Sequence, residues 1–323
     1  MRETLGFHEV DVAIARRFSL RGAVTSPIRV FNIAEMGIQS EAFLGRIGRS
    51  FQDLPFDPYD PAAAAEELVK KRSPDAYHQH EAEWISYWDE LGDLQYTNPV
   101  AGPQFWNQRV SEEVQVTLGG LRPHRRRSCF QYLATPHSSS RYLWQLRELG
   151  NPPFKQSVSD LRARPRRFAT APAAVYRDVD ILLFAGFACQ MARQAASVIA
   201  TAMKVTLHQV LTYANSPAGN DPAPEGPHQD GSPFIVSALV MQRCNVVGGV
   251  SRVYYAGKDV LALEHELAPG YGIFQSDTHG RYFHHVSTIY PADPARVAYR
   301  SIIGLDIDFV SEDAPILGSL RSS

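Results

Sequence analysis

The spacing of apolar positions changes near residue 204 and divides the chain into two kinds of pattern. Across residues 175–203, apolar side chains recur every three or four positions, which predicts a long amphipathic helix. Residues 205–213 then alternate between apolar and polar, which is typical of a strand. Short apolar runs divided by Gly, Pro or Asp continue to residue 309. Such a series predicts a double-sheet jelly roll.

The first 170 residues show helical patterns among less regular stretches. Asp60-Pro61 has the composition of a helix start and precedes strong helix formers up to residue 70. Trp84, Ile85, Trp88 and Leu91 follow at helical spacing, and we interpret them as core packing rather than as a ligand site. The predicted fold is mainly β with flanking helices, around a double-stranded β-helix (jelly-roll, cupin-like) core.

The predicted organisation has three parts. Residues 1–170 form a mixed helical and irregular N-terminal segment packed on the core. Residues 171–312 form the jelly-roll core with its leading helix, and residues 313–323 form a C-terminal tail. Residues 122–127 and 162–167 are local basic clusters, which we interpret as solvated turns; attraction of an anionic substrate is the alternative.

Composition and charge narrow the possible partners and the compartment. The formal net charge of −2 argues against a nucleic-acid or membrane-surface partner recruited by bulk charge. The longest apolar run, residues 181–189, is too short to span a bilayer. The first 12 residues show no signal peptide. Three scattered cysteines, Cys129, Cys189 and Cys244, fit neither a disulfide framework nor a zinc site, so we expect a cytoplasmic protein.

The triplet His228-Gln229-Asp230 is the candidate for chemistry. On an extended segment, a histidine and a carboxylate two residues apart face the same side and can bind one metal ion together. Residues 282–286 offer another imidazole on a second strand-like run. Two histidines and one carboxylate, with the other positions open, are typical of non-haem Fe(II) oxygenases. The triplet alone is a weak signal, and a surface histidine beside an aspartate in a loop is the alternative.

Several short stretches in the C-terminal half together resemble the Fe(II)/2-oxoglutarate-dependent dioxygenases. Within that family they are most similar to the bacterial free amino-acid hydroxylases of the isoleucine 4-hydroxylase type. The resemblance covers roughly residues 200–310 and lies in the order and spacing of residues 207–210 (Leu-His-Gln-Val), His228-Gln229-Asp230, Asn245 with Gly248-Gly249, residues 283–287 (Phe-His-His-Val-Ser) and residues 298–300 (Ala-Tyr-Arg).

The resemblance implies a set of site residues. His228, Asp230 and His284 would bind the metal, because the distal ligand of the family is the histidine of a His-x-Val run. Strand alternation agrees, since it turns His285 to the opposite face. Arg300 would bind the C5 carboxylate of 2-oxoglutarate through its charged, bidentate guanidinium, with Arg296 as the alternative.

The three remaining histidines near these runs have other interpretations. We expect His279 in a surface loop, and we expect His208 and His265 to be structural.

The resemblance also implies an activity and its cofactors. These are Fe(II), 2-oxoglutarate and O2, used to hydroxylate an unactivated C–H bond of a free amino acid or a close derivative, with release of succinate and CO2. Asp230 favours hydroxylation over halogenation, because a small residue there would leave room for a halide. The alternatives are desaturation or cyclisation at the same iron site, or a non-catalytic cupin-like binding protein.

The partner is then a small molecule, neither nucleic acid nor membrane. Its identity stays open because residues 1–170 and 215–227 match the family only faintly. Leu211 also departs from the resemblance, which implies a basic residue directly after the Leu-His-Gln-Val stretch. The oligomeric state stays open as well.

Overall fold

The structure is a computed structural model that describes residues 9–13, 28–138, 143–156, 161–196, 202–214, 216–255, 258–277 and 281–310. The predicted C-terminal tail, residues 313–323, and His279 lie outside the described residues. The helices are α1 (Ser40–Gly48), α2 (Tyr59–Arg72), α3 (Pro74–Leu94), α4 (Ala101–Phe105), α5 (Glu112–Gly119), α6 (Ala173–Tyr176) and α7 (Val179–Ala196). The strands are β1 (Glu9–Ala13), β2 (Ile28–Asn32), β3 (Arg125–Pro136), β4 (Leu143–Gly150), β5 (Ala169–Thr170), β6 (Ala202–Tyr213), β7 (Phe234–Cys244), β8 (Val246–Gly248), β9 (Ser251–Tyr255), β10 (Val260–His265), β11 (Tyr271–Ser276), β12 (Tyr282–Val286), β13 (Ile289–Pro291) and β14 (Tyr299–Val310).

A large and a small antiparallel sheet form the core, and this confirms the predicted jelly roll. The large sheet has the order β1-β4-β3-β6-β14-β7-β11-β2, with the short β5 parallel to β3. The small sheet has the order β10-β9-β12, and β13 pairs with β8 separately. The central strands β6 and β14 pair along their whole length, from Tyr299 opposite Tyr213 to Val310 opposite Ala202. This long pairing gives the site a rigid support.

Side chains of β14 contribute to two apolar clusters on opposite faces of the large sheet. Ile303, Leu305 and Ile307 are buried in a cluster that includes side chains of α7. Ile302 packs instead with Ala238 and other residues from strands of both sheets. The period of two read from the sequence thus reflects one fully apolar face, since the face that carries Ile302 also carries Arg300 and Asp306.

The helix predicted over residues 175–203 is divided and shorter in the structure. Ala173–Tyr176 form the separate helix α6, and α7 begins at Val179. The Asp178 carboxylate explains this start, because its Oδ1 accepts from the backbone N–H groups of Asp180 and Ile181 at 2.9 and 3.4 Å. The described helix ends at Ala196, and β6 already begins at Ala202.

The N-terminal helices enclose an aromatic core of their own. Trp84, Trp88 and Leu91 are buried there, as their spacing predicts, whereas Ile85 is 46% exposed. The buried Glu66 carboxylate accepts from Trp84 Nε1 at 2.7 Å and from the Tyr77 hydroxyl at 2.9 Å. These contacts place a charge in the aromatic core with its hydrogen bonds satisfied.

The sequence predicts a solvated turn for the basic cluster at residues 122–127, and this is wrong for its second half. Arg122 is exposed outside any helix or strand. Residues 125–127 open β3, next to β6 in the large sheet. Arg125 pairs with Asp60 at 3.0 Å, and Arg127 lies 3.1 Å from Nδ1 of the buried His208.

Since β3 and β4 precede residue 170, strands from both sides of that predicted boundary share one sheet. No described helix is long and apolar enough to cross a membrane.

Candidate metal centre

The backbone brings His228 and His284 together although they are far apart in the chain. His284 lies on β12, and His228 lies in the turn-rich segment before β7. The two residues form an antiparallel bridge, with N–H···O distances of 3.0 Å from His228 to His284 and 2.9 Å in return. Gly226 supplies a positive φ of 70° in the approach to this bridge, a conformation that suits glycine. The bridge therefore sets the separation of the two imidazoles.

The side chains of His228, Asp230 and His284 converge on one point. One ligand atom from each lies within 4.8 Å of the other two. Asp230 Oδ1 lies 3.8 Å from His228 Nε2, and Asp230 Oδ2 lies 3.4 Å from His284 Nε2. His285, the neighbour of His284, does not belong to this group among the described residues. The geometry permits one ion to contact all three side chains.

Hydrogen bonds at the far nitrogen fix how each imidazole faces the group. His228 Nδ1 lies 2.8 Å from the carbonyl oxygen of Gly226, and His284 Nδ1 lies 3.0 Å from Asp277 Oδ1. Both partners are acceptors, which assigns the proton of each ring to Nδ1. The Nε2 lone pairs then point into the group, as a metal requires of histidine. Two nitrogen donors and one carboxylate fit Fe(II).

The charges around the group favour a bound cation. Burial, followed by the nearby His284, lowers the pKa of His228 to about 4. Burial opposes a charge on His284, but Asp277 and Asp230 together raise its pKa to about 10. Burial also opposes ionisation of Asp230, yet the two imidazoles hold its pKa well below the usual range. Asp230 and Asp277 therefore favour a positive charge at this point. Protonated His284 carries it in the metal-free group, and a metal ion would carry it once Nε2 of His284 loses its proton to bind the ion.

Four further side chains contact the candidate ligands and were missed by the sequence reasoning. One is Glu225, whose Oε1 lies 3.4 Å from His228 Nε2. Gln156 Nε2 donates to Asp230 Oδ1, and Arg162 Nη1 lies 3.5 Å from the same oxygen. Asp277 contacts both Asp230 and His284. Arg162 belongs to the basic cluster at residues 162–167, and its Nη1 lies 3.5 Å from Glu225 Oε1 as well. Nothing in the local sequence signals these contacts, because the fold brings distant segments together.

Arg300 lies on β14 with unused hydrogen-bond donors. Its side chain is 4% exposed, and within the described part of the chain its Nε and Nη2 have no hydrogen-bond partner. Burial, followed by the neighbouring Arg243, lowers its pKa to about 9. A buried guanidinium with free donors is costly unless an anion completes it. Arg296, in contrast, is exposed in a turn, with its N–H bonded to Asp293.

Gly249 leaves the space that Arg300 uses. Its φ is +67°, and a Cβ there would lie 2.9 Å from Ile289 Cγ2, 3.2 Å from Arg300 Cδ and 3.4 Å from Arg243 Nη1. The second glycine of the Gly248-Gly249 pair is thus required both by its backbone angle and by the close approach of the two guanidinium side chains.

His208 and His265 lie apart from the group. His208 is buried, with Nε2 2.9 Å from Asp306 Oδ2 and Nδ1 2.9 Å from Cys129 Sγ. His265 is exposed on β10.

A cavity of about 320 Å³ adjoins Asp230. Charged side chains of both signs line it, together with amide, hydroxyl and apolar groups. The charged ones are Lys155, Lys204, Asp230, Asp306 and Asp308. Lys204 Nζ lies 3.0 Å from Asp308 Oδ2. The cavity therefore offers a polar, charged environment directly beside the candidate ligands.

Comparison with known proteins identifies one family. The family model described as 2OG-Fe dioxygenase matches residues 115–306, more than half of the chain. A search of curated proteins found no match.

Solved structures give weaker likenesses. A bsmA homolog from Methylobium petroleophilum PM1 is 18% identical, over 67% of this chain and 89% of that one, with a TM-score of 0.49. IDO from Bacillus thuringiensis is 15% identical, over 74% and 99%, with a TM-score of 0.48. The Fe(II)/(alpha)ketoglutarate-dependent dioxygenase TqaL is 12% identical, over 78% and 91%, with a TM-score of 0.41. Since all three scores are below 0.5, the family assignment rests on the family model.

Proposed function

Since this chain belongs to the 2OG-Fe dioxygenase family, we propose that it hydroxylates an unactivated C–H bond of a free amino acid or a close derivative. The family uses Fe(II), 2-oxoglutarate and O2 and acts on small molecules, so the chain is an enzyme rather than a non-catalytic cupin-like binding protein. Bound iron, with 2-oxoglutarate and O2, supplies the oxidising chemistry and leaves succinate and CO2.

In this proposal His228, Asp230 and His284 hold the iron. Each histidine donates its Nδ1–H to an oxygen acceptor, which favours the tautomer whose Nε2 is available as a ligand. Gln156 and Arg162 contact Oδ1 of Asp230 and restrain the carboxylate. The donor set of two nitrogens and one carboxylate, convergent within 4.8 Å, supports this role.

Arg300 binds the far carboxylate of 2-oxoglutarate in this proposal. Its burial and its two unpartnered donors support this role, because a carboxylate would accept both hydrogen bonds of the fork. Arg243 lies opposite Arg300 in the β7–β14 register. Its Nη2 pairs with Glu266 at 2.6 Å, and its Nη1 has no hydrogen-bond partner among the described residues. The pair would orient the cosubstrate while the buried setting excludes water.

The cavity beside Asp230 is the observation that carries the substrate class. It presents Lys155 and Lys204 as well as Asp306 and Asp308. An amino acid carries one ammonium and one carboxylate, and in this proposal they exchange with partners in the Lys204–Asp308 and His208–Asp306 pairs. Its volume of about 320 Å³ suits a molecule of that size. The compartment proposed is the cytoplasm, since Cys129, Cys189 and Cys244 are free.

A screen of the free amino acids tests this function. The enzyme is incubated with Fe(II), ascorbate, 2-oxoglutarate and one amino acid, and the masses of the products are measured by mass spectrometry. We expect at least one amino acid to gain a single oxygen atom, with one succinate formed for each product. A loss of two hydrogen atoms would instead indicate desaturation or cyclisation. Turnover only on molecules that are not amino acids would contradict the proposed substrate class.

Gly249→Ala is expected to weaken 2-oxoglutarate binding by roughly tenfold, about 1.4 kcal/mol. The added methyl would lie 2.9 Å from Ile289 Cγ2 and 3.2 Å from Arg300 Cδ, so both side chains must shift, and the guanidinium with them. Its left-handed backbone adds strain of about 1–2 kcal/mol. Binding is measured by the dependence of succinate formation on 2-oxoglutarate concentration.

Gly45→Ala in α1 is the matched control for this substitution. A Cβ at Gly45 meets nothing within 4 Å, so its methyl leaves cosubstrate binding unchanged. An unchanged affinity in Gly249→Ala would show that Arg300 does not need this space.

A further inference from the structure

Asp277 is a fully buried carboxylate placed between the two segments that carry the candidate ligands. It directly follows β11, whose last residue, Ser276, pairs with Phe234 at the start of β7. Because the strands are antiparallel, Asp277 lies beside the residues that precede β7. Its own N–H donates to the carbonyl oxygen of Pro233 at 3.2 Å. The β7–β11 pairing therefore sets its position.

The two oxygens of Asp277 serve different segments. Oδ1 accepts from Nδ1 of His284 at 3.0 Å. Oδ2 accepts from the backbone N–H of Asp230 and, at 3.1 Å, from that of Gly231. Among the described residues, its one ion-pair partner is His284. All of these donors thus come from two candidate ligands or from the residue next to one.

The burial of this carboxylate needs a reason. Its side chain is 0% exposed, and an ionised carboxylate loses much hydration free energy on burial unless it is hydrogen-bonded. No lysine or arginine forms an ion pair with it among the described residues. Hydrogen bonds to the ligand-bearing segments are therefore what offsets the cost. Removing it would release both segments at once.

We propose that Asp277 is a positioning residue that clamps the His284 ring and the Asp230 backbone, so that both side chains face one metal ion. This inference rests on the metal centre of the proposed function. The bond to Nδ1 fixes the tautomer and orientation of His284, and the bonds to the two N–H groups fix the entry of Asp230. A carboxylate behind a metal-binding histidine also raises its strength as a ligand.

Mn(II) affinity of the whole protein tests this role without turnover. Free Mn(II) is measured by electron paramagnetic resonance as the protein is titrated, and the metal-free unfolding midpoint is measured alongside. We expect Asp277→Ala to raise the Kd for Mn(II) by about 10–100-fold, the loss typical when such a partner is removed. Asp277→Asn keeps the shape but has one oxygen, so it can accept from only one of the two segments. It should weaken binding as well.

Asp60→Asn is the matched control. Asp60 is also buried, with His124 Nδ1 2.9 Å from its Oδ2 and Arg125 Nη2 3.0 Å from its Oδ1. It lies in α2 and touches none of the three candidate ligands in the described contacts. This substitution should lower the unfolding midpoint and leave the Kd for Mn(II) within about twofold.

The outcomes separate the inference from the proposed function. Wild-type protein that binds no Mn(II) would overturn the metal centre and the clamp together. Wild-type binding with equal affinity in both Asp277 variants would overturn the clamp alone, even where their unfolding midpoints fall. If Asp277→Ala does not fold, the Kd for Mn(II) of Asp277→Asn, which keeps the shape of the side chain, tests the clamp.

A measurement on the wild-type protein needs no variant. With Zn(II) bound and histidines labelled with ¹⁵N, the Nδ1 proton of His284 should be hydrogen-bonded and slow to exchange with water. Exchange as fast as that of the exposed His265 would contradict the clamp.

Discussion

Replacing His228 by Ala is expected to abolish turnover while the protein stays folded. The imidazole supplies one of two nitrogen donors, and one nitrogen and one carboxylate do not hold Fe(II) in the proposed site. Succinate formation should fall by more than about 100-fold, beyond the loss expected for a partner behind a ligand. The fold should persist because the His228–His284 bridge is made by backbone groups, which alanine keeps. Succinate release and circular dichroism together measure this result.

His265→Ala is the control, since His265 is exposed on β10 outside the group. It should retain wild-type turnover. The choice between the neighbouring histidines is tested in the same assay: His284→Ala should lose activity, whereas His285→Ala should keep much of it. Turnover that survives loss of His228 or His284, but not of His285, would contradict the ligand set.

Replacing Arg300 by Lys should lower the apparent affinity for 2-oxoglutarate by one to two orders of magnitude, about 1.4–3 kcal/mol. Lysine keeps the positive charge but loses the fork that can bind both carboxylate oxygens. The loss should be large because Arg300 is 4% exposed, where water cannot replace a missing donor. The apparent affinity is read from succinate formation at varied 2-oxoglutarate.

Arg296→Lys is the matched control, because Arg296 is exposed in the turn before β14. It should change the apparent affinity little. If instead Arg296→Lys has the large effect, the proposed cosubstrate anchor is wrong.

The fold was predictable where burial leaves a period in the sequence. Residues 205–213 alternate because Val205, Leu207 and Leu211 of β6 face the apolar cluster that includes α7, whereas polar side chains lie on the other face. The edge strand β2 was missed, since its place beside β11 depends on a pairing with residues far along the chain. The break between α6 and α7 was missed because the apolar spacing continues across Asp178, whose carboxylate starts a new helix.

The candidate site was predictable only in part. His228, Asp230 and His284 follow from local spacing and from a resemblance, and the structure brings these three together; that they bind iron stays a prediction. Asp277, Gln156 and Arg162 reach Asp230 or His284 only through tertiary contacts. No period or motif encodes such contacts. The sequence shows Gly249 as part of a motif. Why glycine is required there, the close approach of Arg300, is seen only in the three-dimensional structure.

A crystal structure of the protein grown without oxygen, with Fe(II) and 2-oxoglutarate, tests the proposed site most directly. The account predicts iron bound by Nε2 of His228, a carboxylate oxygen of Asp230 and Nε2 of His284, with the far carboxylate of 2-oxoglutarate on Arg300. Iron bound by His285, or a cosubstrate carboxylate bound by Arg296, would contradict it.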